Sequence, residues 1–299
     1  MKNIFFYLLL CSSLFSDAQT QQNINKNTGT VSNVITTIDS IRFHGSSTIM
    51  EVVLHDGTVE SHSLSDIFNV NFAPSSSQHS CGADSVHNPN LIYGNMTDQE
   101  GNEYKTIVIG NQEWMAENLK TTFYQNGDSI TNVTVDAEWA ILTTGAWSSF
   151  LNDSRFDCPY GKFYNWYAVD DQRKLCPAGW HVPSDGEWDI LIATLDSQYS
   201  PAAVGSQSTI AGAMLKSIGT QYWASPNEPA NNESGFSGLP ASNRYSSGNF
   251  CQSGVGYWWS SSVLDTTFAW IRWLNNSTGN VYRYENPKLN GISVRCLKD

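Results

Sequence analysis

The 299 residues are enough for one sizeable domain plus a small one, and 40% hydrophobic against 15% charged residues describe a globular chain of low charge density. A formal net charge of −12, with no basic run to neutralise phosphates, excludes a nucleic-acid binder and argues against an anionic membrane surface. Beyond the first residues no run reaches the roughly 18 apolar residues of a membrane-spanning helix.

In chain order, Lys2, the apolar run from Ile4 to Phe15 and the small-x-small Ser16-Asp17-Ala18 read as a secretory signal over 1–18. Cleavage is preferred to lipidation at Cys11, because Leu10 is too large to precede a lipidated cysteine. The protein is therefore expected to be exported, whether periplasmic, secreted or at the cell surface. With three residues after Cys296, no C-terminal sorting domain is expected. Residues 19–32, rich in Gln, Asn and Thr, read as a flexible leader. A small β module follows over 33–73. Ile38-Asp-Ser-Ile-Arg-Phe43 and Ile67-Phe-Asn-Val-Asn-Phe72 share a pattern, and Asp56-Gly57 between alternating runs is a hairpin signal. His44, His55 and His62 have no ligand spacing and read as solvated surface histidines.

Residues 74–92 read as a linker, since all eleven tryptophans lie later in the chain, from Trp114 onward. The main domain is assigned to 93–299. Asp98, Glu100, Gly101 and Asn102 fall short of a calcium loop and read as a hairpin turn. The run Tyr104 to Ile109 is then a strand with both faces covered, and Gly110-Asn111 turns the chain back. Thr134 is expected to cap a short helix over 135–140. The clearest element lies in Leu175 to Leu195. Ser184 and Glu187 have capping-box spacing, and Trp188, Leu191, Ile192, Leu195 and Tyr199 recur on one helical face. After Ser200 helical periodicity is lost, and short strands are expected between long ordered loops, which tend to be functional.

Six cysteines less Cys11 leave Cys81, Cys158, Cys176, Cys251 and Cys296, an odd set with no CxxC. Zinc-ribbon and thioredoxin-type sites are therefore not indicated, and the pairing of Cys81, Cys158 and Cys251 stays open.

The motifs Tyr104-Lys-Thr-Ile-Val-Ile-Gly110, Trp114-Met-Ala-Glu-Asn-Leu119, Gly161-Lys-Phe-Tyr-Asn-Trp166, Cys176-Pro-Ala-Gly-Trp-His-Val-Pro-Ser184, Gly235-Phe-Ser-Gly-Leu-Pro240, Trp258-Trp-Ser-Ser-Ser262 and Ser293-Val-Arg-Cys296 occur in order. Together they resemble the Fibrobacter succinogenes major paralogous domain family, abundant in exported proteins of Bacteroidetes and Fibrobacteres. That family is similar to the C-type-lectin-like and sulfatase-modifying-factor superfamily. The resemblance implies an α+β, C-type-lectin-like fold with short strands, two helices and long ordered loops, preceded by the small all-β hairpin module. It also implies a Cys176–Cys296 disulfide. The lectins' calcium-dependent sugar motifs are missing, as is the sulfatase modifiers' close cysteine pair, because the nearest cysteine before Cys296 is Cys251.

The expected function is therefore an exported, non-enzymatic binding module that takes polysaccharide or a surface protein, with no cofactor. Aromatic faces stack on such ligands, and the candidate contacts are Trp258, Trp259, Trp270, Arg272, Trp273 and Asn275. On a strand, neighbouring tryptophans alternate faces, so part of this set belongs to the core. Alternatives are a sulfatase-modifying-like enzyme that has lost or changed its cysteine site, or a structural envelope component. His181 with Asp185 or Glu187 has the composition of an acid–base set. A structural histidine beside a helix cap accounts for the same residues, so no catalytic residue is assigned.

Overall fold

The computed structural model describes residues 20–299 except 27–28, 35–37, 44–48, 55–57, 64, 66, 75–78, 84–85, 202–203 and 253. The expected signal segment, His44, His55 and the Asp56-Gly57 turn lie outside the described residues. The chain divides into two units between Gln78 and His79.

The first unit holds two antiparallel sheets. Strands β1 (Thr20–Lys26), β2 (Gly29–Val34), β3 (Ile38–Phe43), β4 (Ile49–Leu54), β5 (Val59–Ser63) and β6 (Ile67–Pro74) pair in the orders β2-β1-β6 and β3-β4-β5. The described residues of the expected flexible leader, 19–32, thus lie in two strands, β1 and the start of β2. The register sets Ile24 opposite both Val31 and Val70; ladder bonds are backbone bonds, which a polar, Thr- and Asn-rich sequence can make as readily as an apolar one. His62 is buried rather than solvated, at 5% exposure. It sits opposite the buried Met50, and alternation along β5 turns that position inward.

In the second unit, part of the expected linker is packed structure: His79, Val86 and His87 are buried, and Cys81 is bonded to Cys158. The elements are β7 (Gly94–Thr97), β8 (Glu103–Ile109), β9 (Gln112–Met115), β10 (Thr131–Asn132), α1 (Asp136–Trp139), β11 (Ala146–Ser148), α2 (Asp157–Tyr160), β12 (Phe163–Tyr164), α3 (Trp166–Val169), β13 (Trp180–His181), α4 (Asp185–Leu195), β14 (Gly205–Ser208), α5 (Ala211–Leu215), β15 (Gly256–Val263), β16 (Phe268–Leu274), β17 (Val281–Pro287) and β18 (Leu297–Lys298). The architecture is mixed α+β, mostly strand, with short helices. A five-stranded antiparallel sheet runs β13-β18-β9-β8-β7, a four-stranded antiparallel sheet β14-β17-β16-β15, and a small one β10-β11-β12. Where two helices were expected, five α-helical stretches, most of them a single turn, and two short 3-10 turns form among the described residues. One of the helices, α5, lies beyond Ser200, where no periodicity was seen because five residues are too few to display it.

Local chemistry explains the best-defined elements. The Asp98 turn joins β7 to β8 as expected: its carboxylate accepts from Glu100 N at 2.9 Å, Asn102 N at 3.0 Å and Tyr104 OH at 2.7 Å. On β8, Tyr104, Thr106, Ile107 and Ile109 are buried while Val108 is exposed. Helix α4 starts with the expected capping box, Ser184 and Glu187 each accepting from the other's backbone. Helix α1 differs: it starts from Val135 with no side-chain cap, so Thr134 does not serve that role. Trp188, Leu191 and Ile192 of α4 pack with Trp114, Phe236 and Trp258 in one core cluster. A second cluster forms around Tyr104, Tyr164, Trp259 and the Cys176–Cys296 disulfide.

That disulfide closes 120 residues of sequence, worth roughly 4–5 kcal/mol in the chain-entropy account. The paired change Cys176→Ser with Cys296→Ser is expected to lower unfolding free energy by about 2–5 kcal/mol. Urea denaturation measures this, and an unshifted midpoint would contradict the assignment.

Candidate functional site

The four-stranded sheet carries most of the expected contact residues, and alternation sorts them onto two faces. One face meets α4. There Arg272, 1% exposed, donates to Asp185 Oδ1 at 2.6 Å and Asp189 Oδ1 at 2.8 Å. Arg283 donates to Asp185 Oδ2 at 2.7 Å and lies 3.4 Å from the Trp270 ring centroid. Burial pushes the Asp185 carboxyl up, but the Arg283 hydrogen bond and the Arg272 charge outweigh it and hold its pKa below the usual value. This face fastens the first turn of α4 to the sheet. Asp185→Asn is expected to cost up to about 3 kcal/mol, because it leaves a buried guanidinium under-compensated while Asp189 still pairs it. Chemical denaturation measures the loss, and a change within error of zero would show that the pairs add nothing.

The opposite face carries a row of aromatics. The register places Tyr257 opposite Trp273 and Trp273 opposite Tyr282, so three neighbouring strands each contribute one ring at the same level. Trp273 and Tyr282 stack with centroids 4.1 Å apart and planes 11° from parallel. Tyr257 and Tyr284 each lie 6.2 Å from Trp273, and Tyr284 is 39% exposed. The inner edge of the row rests on the core, with Tyr257 and Trp273 packed against the cluster that contains Trp259 and Ile271. The outcome is a half-exposed strip of rings held by a rigid sheet. Such a strip can stack on flat apolar faces while the tyrosine hydroxyls hydrogen-bond.

Of the six expected contact residues, Trp273 stands in this strip. Trp258 and Trp259 are core residues, 1% and 0% exposed; their indole N–H groups donate to Asn118 Oδ1 at 2.9 Å and Tyr164 O at 2.8 Å. Arg272 is buried in its ion pairs, and Trp270 shares that face beneath Arg283. Asn275 is a turn former, its Oδ1 accepting from Ser277 N at 3.0 Å and Thr278 N at 2.9 Å. Sequence reasoning missed Tyr257, Tyr282 and Tyr284 as members of this strip. Their signal was the period-two spacing of Tyr282 and Tyr284 read in hairpin register across the Asn275–Gly279 turn.

His181 does not assemble with Asp185, which belongs to the arginines. Its Nδ1 lies 2.6 Å from Asp299 Oδ1 and its Nε2 2.9 Å from Glu187 Oε1, tying the end of the chain to the α4 cap. Burial pulls its pKa down, but the hydrogen bonds to Asp299 and Glu187 outweigh that and raise it above 6.5. A folded-state pKa above the unfolded one gives stability that is complete below pH 6.5 and lost as pH rises through the folded value. His181→Gln should therefore destabilise the protein more in mildly acidic than in alkaline buffer. An equal effect at both ends of a pH series of melting temperatures would remove the histidine from this role.

Among known families, the model described as the Fibrobacter succinogenes major domain matches residues 107–298. No curated protein and no solved structure matches the chain.

Proposed function

This chain belongs to the Fibrobacter succinogenes major domain family, and we propose that it is an exported binding module that holds carbohydrate against the strip Tyr257, Trp273, Tyr282 and Tyr284. The observation that carries the reading is the Trp273–Tyr282 stack, 4.1 Å between centroids, at the centre of a half-exposed aromatic row on a rigid sheet. The C–H faces of a pyranose offer the flat apolar surface such a row accepts, and the tyrosine hydroxyls suit the ring's equatorial oxygens.

Export is supported by the signal-like composition of the first residues and by two disulfides, Cys81–Cys158 and Cys176–Cys296, which persist in oxidising compartments. Among the described residues, no helix is long and apolar enough to cross a membrane. The lectin-like architecture belongs to the same reading, supported by the α+β organisation and by the bridge between Cys176 and Cys296. That bridge also engages the one cysteine of the terminal strand region, which speaks against sulfatase-modifying chemistry at Cys296.

The test is a glycan and cell-wall polysaccharide array, with affinities measured on each hit. Trp273→Ala is expected to weaken binding at least about tenfold, roughly 1.4 kcal/mol. Trp270→Ala, on the opposite face, should stay near the parent protein. An array with no binder, or equal loss in both variants, would overturn the proposal and leave a structural envelope role.

A further inference from the structure

The Cys81–Cys158 disulfide differs from its buried counterpart in what surrounds it. His79 Nδ1 lies 2.8 Å from Cys81 Sγ, and the ligand atoms of His79, Cys81 and Cys158 all fall within 4.8 Å of one another. Ser80, the residue between the two ligands at 79 and 81, is held through both N and Oγ by the Glu117 carboxylate, each at 2.6 Å. The same carboxylate accepts from His87 Nε2 at 3.1 Å, and the His87 ring lies parallel to His79, 9° apart in plane with centroids 5.8 Å apart. His79 is therefore fixed on both sides: by its stacking partner and by the anchored backbone beside it. Glu117 Oε1 also stands 3.6 Å from His79 Nδ1 and brings negative charge to the group. Cys158 is half-buried and lines a cleft of about 300 Å³ with Lys120, Asp157 and Lys162. Cys176 and Cys296, by contrast, are 1% and 0% exposed.

A disulfide by itself needs neither a convergent imidazole nor an anchored loop between histidine and cysteine. Both are what a metal site requires, because outer-shell hydrogen bonds orient the ligands. We propose that the reduced form of this pair is a binding site for a zinc-like divalent cation, ligated by His79 Nδ1, Cys81 Sγ and Cys158 Sγ, with a fourth position for water. An external dithiol opens the bond: its two thiols give two electrons and two protons to Cys81 and Cys158 and close into its own disulfide. The cation then displaces both thiol protons to solvent. One imidazole and two thiolates suit Zn²⁺, whose Zn–S and Zn–N bonds of about 2.3 and 2.0 Å set tetrahedral ligand atoms roughly 3.5 Å apart. Breaking the S–S bond lets the sulfurs separate toward that spacing.

The experiment uses the full chain carrying Cys251→Ser, reduced with dithiothreitol, desalted anaerobically and titrated with Co²⁺ and then Zn²⁺. Alkylation after mild reduction should label Cys81 and Cys158 and spare Cys176 and Cys296. The reduced protein should take up one Co²⁺ with thiolate charge-transfer and tetrahedral d–d bands, which Zn²⁺ then bleaches; the oxidised protein should show none. Ser80→Ala should weaken Co²⁺ binding roughly 10–100-fold, and His79→Asn by more. Cys158→Ser, at a cleft-lining position, serves as a second variant should His79→Asn fail to fold. No charge-transfer band in the reduced protein, bands that survive His79→Asn or Cys158→Ser, or labelling of Cys176 and Cys296 ahead of Cys81 and Cys158 would each overturn the proposal.

Discussion

The second unit depends on the backbone of residues 291–298, which threads through its middle. Gly291 pairs with Arg244, Ile292 with Tyr164, and Ser293 with Trp258. Val294 O accepts from Leu119 N at 2.8 Å, Cys296 O accepts from Met115 N at 3.0 Å, and Leu297 pairs with Trp114. Ile292, Val294, Arg295, Cys296 and Leu297 are all buried. Eight residues thus satisfy backbone groups from five distant parts of the chain, which would otherwise be buried unpaired at a cost of about 1–3 kcal/mol each. The disulfide to Cys176 holds this segment covalently, and β18 sets it between β13 and β9. β9 also pairs locally with β8, whereas its contact with β18 and that of β13 span long stretches of sequence, the kind of non-local pairing that slows folding.

Buried charge organises what this segment encloses. Arg295 donates to Asn118 Oδ1 at 2.9 Å and Ser237 O at 3.0 Å, and also to Phe236 O, with its guanidinium 4.1 Å from the Phe236 ring centroid. Burial pushes the Glu117 pKa up, but the His87 hydrogen bond, the neighbouring histidines and Ser80 more than offset it, leaving a carboxylate with a pKa of about 2. Arg272 is handled the same way by α4. Each charge is matched by donors or acceptors from remote segments, so these networks favour one arrangement of loops over near alternatives. The aromatic strip inherits that precision: its rings sit on a sheet whose other face is pinned to a capped helix.

Much of this was legible in the residues. Ser184 with Glu187 marked the start of α4, because a capping box is built from groups three residues apart. The β7–β8 turn and the β8–β9 hairpin were likewise visible, since each rests on neighbours in sequence. The Cys176–Cys296 bridge came from the family resemblance instead. The strands of residues 20–34 were hidden because polar residues leave no apolar alternation to read. The second unit takes in residues 79–92 of the expected linker because His79 and His87, polar by type, are buried beside Glu117, and no local pattern shows a histidine's remote partner. Trp258, Trp259 and Arg272 stand among the expected contacts, part of which belongs to the core, because a strand's alternation says that two faces exist and not which one is covered.

The amino-acid sequence by itself determined the family, through motifs spread along the chain, and the resemblance implied the α+β character. It also determined the capped helix and the richness of aromatic side chains near its end, which depend on composition and on contacts a few residues apart. Only the tertiary structure decided which rings lie outside, that Tyr257, Trp273 and Tyr282 share one level, and that His79, Cys81 and Cys158 converge. Strand register and disulfide partners bring together residues tens to hundreds of positions apart, as with Cys81 and Cys158, 77 positions apart. Such pairings follow from how the whole core packs, and no local stretch encodes them.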